Sequence, residues 1–175
     1  GDKKYFEGFI KLTYYAISNL AELQDGDHPP SFAWHPRPGQ LPGHNPGHIA
    51  EELLLALPLY RNLLSPDQKL FFAKMFLKIA DFNYRAIGND APFNIPLHLI
   101  TSTHLIACVF TPFSKATTWK TWARKRLFND YTSNYSASPD GYFREGIGYQ
   151  NIVHNLILKN LMFWKASGDK VPLEL

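Results

Sequence analysis

Apolar residues recur at steps of three and four along this chain, and nowhere do they alternate strongly with polar residues at a step of two. That contrast limits the fold more than any other feature. A period near 3.6 lays one apolar stripe along a helix, whereas a strand covered on one face needs a period of two. The chain therefore reads as all-α, with about six helices. Phe6, Phe9, Ile10, Thr13, Tyr14, Ile17, Leu20 and Leu23 form the first stripe. The turn-rich stretch from Asp25 to Pro46 that follows is long for a passive connection. Pro46 to Leu57 reads as a second helix, which Pro58 kinks or ends. Ser65-Pro66-Asp67-Gln68 combines a capping Ser, Pro at the first helical position and Gln at the third, and predicts a helix start running to about Ile87. Asn94 to Phe110 predicts another, with Asn94 as cap and Pro96 in the first turn, stopped by Thr111-Pro112. Lys115 to about Tyr131 and Tyr149 to about Ala166 complete the set, the last ended by Ser167-Gly168. Long helices joined by short and medium loops favour antiparallel pairs, as in bundles, solenoids and toroids.

At 175 residues the chain suits a single domain, residues 1–175, with a substantial core. Its 18 basic and 15 acidic side chains leave a formal charge of +3, too mild to argue for nucleic acid and compatible with an acidic sugar polymer. The densest basic stretch, Lys115, Lys120, Arg124, Lys125 and Arg126, reads as a solvated helix face. Cys108, the single cysteine, lies in an apolar run and reads as a small buried hydrophobe. No apolar stretch approaches the roughly 20 residues of a membrane span. His28, His35, His44 and His48 match no zinc-ligand spacing, so no metal is expected, and no cofactor. The opening Gly1-Asp2-Lys3, without Met, reads as a boundary within a longer protein.

One segment is specific. Ser-Pro-Asp-Gly-Tyr-Phe-Arg-Glu-Gly-Ile-Gly-Tyr at 138–149, followed by the apolar helix that begins QNIVHNLIL, resembles a signature of heparinase II/III-like and alginate lyases. The Asn-led FNIPLHLITSTHLIACVF, and GHIAEELLLALPLYRNLLSPDQ before it, resemble that family's upstream helices in the same order. The resemblance spans roughly residues 43–165. It implies part of an (α/α) toroid, with a mostly antiparallel β-sandwich domain elsewhere in the protein and a secreted or periplasmic setting.

Such lyases cleave a uronic acid polymer by β-elimination: the C5 proton leaves and the C4–O4 bond breaks. The proton lies α to a carboxylate, so the intermediate carries extra negative charge on a group already charged. Asn or His donors aimed at that carboxylate stabilise it, as an oxyanion hole does. The resemblance implies Tyr149 as base and acid, a task for which a tyrosine needs cationic or hydrogen-bonding neighbours. It implies Asn94 as carboxylate donor, with Asn89 as competitor. Ile95 stands where the family often has His, and His98, one turn on from Asn94, can take that place. Glu145 matches the family's acidic position. Arg144 beside it and the loop residue Trp34, suited to stacking on a sugar ring, complete the expected substrate contacts.

Taken alone, the residues leave other readings open. His98, His104 and His154 lie in apolar helices, where a lone His is usually a satisfied core residue. Trp119, Trp122 and Trp164 read as core, and Tyr149 by itself as a packed aromatic at a helix start. A glycoside hydrolase using Glu145 with Asp140 or Glu51 is one competing function. A non-catalytic helical carbohydrate-binding or interaction domain is the other.

Overall fold

The structure, a computed structural model, describes residues 4–11, 13, 45–87, 94–128 and 147–171. Regular structure among them is helical throughout. Residues 4–11 form α1, and α2 (Asn45–Tyr60), α3 (Pro66–Ile87), α4 (Asn94–Val109), α5 (Ala116–Arg124) and α6 (Ile147–Ala166) follow.

The helix boundaries have local causes. At the start of α3 the Ser65 amide donates to Gln68 Oε1 at 2.9 Å and the Gln68 amide donates to Ser65 Oγ at 3.2 Å. This reciprocal pair is the capping box expected from the sequence, and it satisfies two amides that would otherwise lack helical partners. Pro58 lies in the last turn of α2, which stops at Tyr60. At the far end of α6, Gly168 takes a positive φ of 79°, a conformation in which a side chain would clash. Helix α5 begins at Ala116, and after Arg124 the turn 125–128 widens to π-helical geometry.

Helix α4 is the axis of the packing: α2, α3, α5 and α6 all lie against it. Leu97, Leu99, Ile100, Leu105, Ile106 and Ala107 are fully buried, and so are the intervening Thr101, Ser102, Thr103 and His104. A helix buried on every side is apolar all round rather than striped, and α4 meets that demand except in its middle. Its first turns join Ile87, Leu127, Val153, Leu156 and Trp164 in one core cluster. Its last turns join Leu53, Phe72, Phe76 and Trp119 in another. Each fully buried Leu or Ile contributes roughly 1.5–3 kcal/mol relative to exposure.

Between the two clusters runs a polar belt, and every member of it has a partner. Thr101 accepts from Asn160 Nδ2 at 2.8 Å. Ser102 accepts from Asn83 Nδ2 at 2.9 Å and donates to the Leu99 carbonyl at 3.0 Å. Thr103 donates to the same carbonyl at 2.8 Å. Without these bonds each hydroxyl would carry a desolvation cost of roughly 1–3 kcal/mol.

Contacts climb together along α4 and α6. Asn160 meets Thr101 and His104, and Trp164 meets the His104 ring edge-on at 5.9 Å between centroids. Ser167 reaches Cys108. The two helices therefore run in the same direction, with their N-terminal ends on one side of the molecule.

Candidate functional site

Toward that N-terminal side, three helices bring charged and ionisable groups together. Gly47 lets α2 settle onto α4: a Cβ there would stand 2.9 Å from Leu99 Cδ2 and 3.2 Å from the His98 carbonyl carbon and oxygen. One turn on, Glu51 falls in the same inward stripe as Gly47, Ala50 and Leu54, and its side chain is 1% exposed. A carboxylate so buried needs partners for both oxygens. Oε1 lies 3.0 Å from His98 Nδ1, and Oε2 accepts from Lys159 Nζ at 3.1 Å. Lys159 also donates to Glu52 Oε1 at 3.2 Å, bridging α6 to two consecutive residues of α2. Burial opposes the charge on Lys159, but Glu51 and Glu52 outweigh burial and hold its ammonium above the ordinary lysine pKa.

The His98 side chain is 12% exposed, so the imidazole is oriented from within yet reaches the surface. His48 lies against it, ring centroids 3.6 Å apart and planes tilted by 39°. With Nδ1–H donated to the Glu51 carboxylate, Nε2 has no hydrogen-bond partner among the described residues. It accepts when the ring is neutral and donates when the ring is protonated.

Further along α4 a second histidine is built for the opposite purpose. His104 Nδ1 lies 2.7 Å from Asn160 Oδ1, while Asn160 Nδ2 donates to Thr101 and to the Leu156 carbonyl at 2.7 Å. The amide oxygen therefore accepts from His104 Nδ1–H, and Nε2 accepts from Arg124 Nε at 3.1 Å. Both ring nitrogens are satisfied by the neutral tautomer. Burial, reinforced by the nearby Arg124 and Lys120 charges, lowers the His104 pKa to about 4. Arg124 also sits 4.1 Å above the Trp164 ring and donates to Asp169 at 2.8 Å. Asp169 accepts as well from Lys120 and Ser167, at 2.9 and 3.0 Å. These donors hold its carboxyl well below the usual range. Cys108, buried and free, touches His104 and Arg124, and burial pushes its thiol pKa up. A thiol in that state is a poor nucleophile, so this network is a structural latch between α4, α5 and α6.

The expected site residues fall into three groups. His98 lies against Glu51 where α2, α4 and α6 meet. Tyr149 is the third residue of α6 and is 42% exposed, so it is not a core aromatic. Asn94 is the first residue of α4, described through its backbone alone. Asn94 stands seven positions before Thr101 and Tyr149 eleven before Asn160. At 1.5 Å per residue that is about 10 and about 16 Å down two helices joined at the Thr101–Asn160 bond. Both therefore lie toward the same end of the pair as His98. Glu145, Arg144, Asn89, Trp34 and Asp140 lie outside the described residues.

Two expectations are corrected. The basic stretch of α5 is not simply a solvated face: Arg126 is buried, and Lys120 and Arg124 are largely covered in their ion pairs with Asp169. Lys120 and Arg124 can be taken out of water there because the Asp169 carboxylate meets them. His154 is exposed because α6 turns Val153, Leu156 and Asn160 inward and carries position 154 away from α4. His104, Trp119 and Trp164 do belong to the core, and Trp122 is half-buried edge-on to Tyr84.

Sequence reasoning missed Lys159 altogether and placed Glu51 only as one half of a hydrolase pair. A usable signal was present: Glu51 occupies a stripe position among Ala50, Leu53 and Leu54, and a carboxylate there must find a cation. No position number could say that the cation comes from α6. Comparison with protein-family models, with curated proteins and with solved structures finds no match to this chain.

Proposed function

We propose that this chain belongs to a polysaccharide lyase that cleaves a uronic-acid-containing polymer by β-elimination, as part of an (α/α) toroid whose inner end carries the site. The observation that supports the reading is the shared end of α4 and α6, toward which Asn94, His98 and Tyr149 all lie, with His98 oriented by a buried carboxylate. The signature around Tyr149 adds the chemistry. In its deprotonated form Tyr149 takes the C5 proton, the C4–C5 double bond forms, the C4–O4 bond breaks, and the tyrosine returns the proton to O4. Asn94 and a protonated His98 meet the substrate carboxylate and stabilise its added charge, each worth roughly 3–4 kcal/mol in the transition state. Glu145, Asn89, Trp34 and Arg144 hold the sugar chain. Exposed Leu158 and Met162 on α6 suit burial beneath a further layer of the toroid. A β-sandwich domain and a secreted or periplasmic setting complete the proposal.

The test is direct. The protein is incubated with a panel of uronate polymers, alginate among them, and the ultraviolet absorbance of a 4,5-unsaturated uronate product is followed. Absorbance that rises with the wild type and is lost in Tyr149→Phe, while polymer binding persists, is the expected result. New reducing ends without absorbance mean hydrolysis, and binding without any product means a non-catalytic domain. Either outcome overturns the lyase reading.

A further inference from the structure

Glu51 presents an energetic problem that the elimination chemistry does not by itself resolve. Removing a carboxylate from water costs several kcal/mol even after relaxation, and replacing such a buried ion pair by apolar side chains is often neutral or stabilising. Packing α2 against α4 therefore gives no reason for a glutamate at this position. Its surroundings do. One oxygen faces His98 Nδ1 at 3.0 Å, the other faces Lys159 Nζ at 3.1 Å, and the side chain is 1% exposed. His48 lies against the imidazole from the same helix, and Gly47 allows the close approach that makes both contacts possible.

We propose that Glu51 is the positioning residue of His98 and that Lys159 is its countercharge. Glu51 accepts from Nδ1–H, which fixes the neutral ring in the Nδ1–H form, and it stabilises the imidazolium formed when Nε2 takes a proton, whose Nε2–H then donates to a substrate carboxylate. Lys159 meets the second Glu51 oxygen at 3.1 Å and balances its charge where the carboxylate is buried. A carboxylate behind a histidine acts in the same way in metal sites and catalytic triads, where it sets the tautomer, the ring orientation and the stability of the imidazolium. The inference rests on the lyase reading for the identity of the ligand that meets Nε2. The arrangement also explains why a histidine one turn along α4 can stand in for one beside Asn94. A donor is useful where its direction is enforced, and Glu51 enforces the direction of His98.

The experiment uses the full chain, labelled with ¹⁵N at histidine, with the His98 resonances assigned by their loss in His98→Gln. Long-range ¹H–¹⁵N spectra identify the nitrogen that carries the proton. The wild type is expected to show the Nδ1–H form and Glu51→Gln to lose its predominance. On a uronate polymer that the wild type cleaves, Glu51→Gln lowers kcat roughly 10–100-fold with KM changed less than about 3-fold, because the group it disturbs acts chiefly on developing charge. Lys115→Gln, which breaks the exposed ion pair with Asp81, leaves the His98 spectrum and both kinetic constants unchanged. An Nε2–H form in the wild type, or a tautomer indifferent to Glu51→Gln, overturns the proposal whatever the activity. A wild type with the Nδ1–H form and its Glu51 dependence, but with no elimination on any uronate polymer, overturns the lyase reading and upholds the positioning of His98.

Discussion

Two histidines six positions apart on α4 have opposite fates because of what each ring nitrogen meets. His98 has a carboxylate on one side and reaches the surface on the other. His104 is wholly enclosed, with an amide oxygen at Nδ1 and a guanidinium at Nε2 that no added proton can share. Its pH dependence follows. The unfolded imidazole takes its proton near 6.5, the folded one only near 4, so acid favours the unfolded chain. The stabilisation is intact above 6.5 and is lost as the pH falls toward 4, about 3 kcal/mol in all. Denaturant unfolding at pH 7.5 and pH 4 is expected to show the wild type falling by about that much more than His104→Gln; equal falls would refute the assignment. Tyr149 sits at the other extreme. Being 42% exposed, its change to Phe is expected to move stability by less than about 0.5 kcal/mol, so lost turnover in that variant would report chemistry rather than unfolding.

At the scale of elements, the crossing of α2 over α4 is set by an absent side chain. Gly47→Ala places a methyl against the His98 backbone and the fully buried Leu99, and neither can retreat without moving α2. The expected cost is about 1–3 kcal/mol, measured by urea unfolding, together with a weaker hold of Glu51 on His98 seen in the histidine spectrum. A neutral Gly47→Ala would mean that the helices meet less closely than described. Elements also differ in how legible they are. The start of α3 and the end of α6 were readable because Ser65, Gln68 and Gly168 act on their own neighbours, and α4 begins at Asn94, where the sequence put its start. The widened turn at 125–128 was not, because local sequence there is compatible with an ordinary helix.

For the whole molecule, the consequence is a centre and a periphery. Helix α4 touches α2, α3, α5 and α6, so it cannot open while any two of them stay in place. Native-state hydrogen exchange is expected to find the amides of residues 99–107 among the slowest, exchanging only through global unfolding. Those of α1 and of the last turn of α6 are expected to exchange through smaller openings. Faster exchange across α4 than across α3 would contradict that centre. No helix among the described residues is long and apolar enough to cross a membrane.

The division between sequence and structure follows from range. Periodicity, capping and punctuation are effects between residues a few positions apart, so the all-helical class and most helix boundaries could be read from residue order alone. The partners of Glu51, His98 and His104 come from helices about 20 to 110 positions away, and an ion pair depends on distance in space, which residue order does not encode. Only the tertiary structure decided that Lys159 pairs with Glu51, that α4 and α6 run side by side in one direction, and that one histidine faces a buried carboxylate while the other is a sealed part of the core.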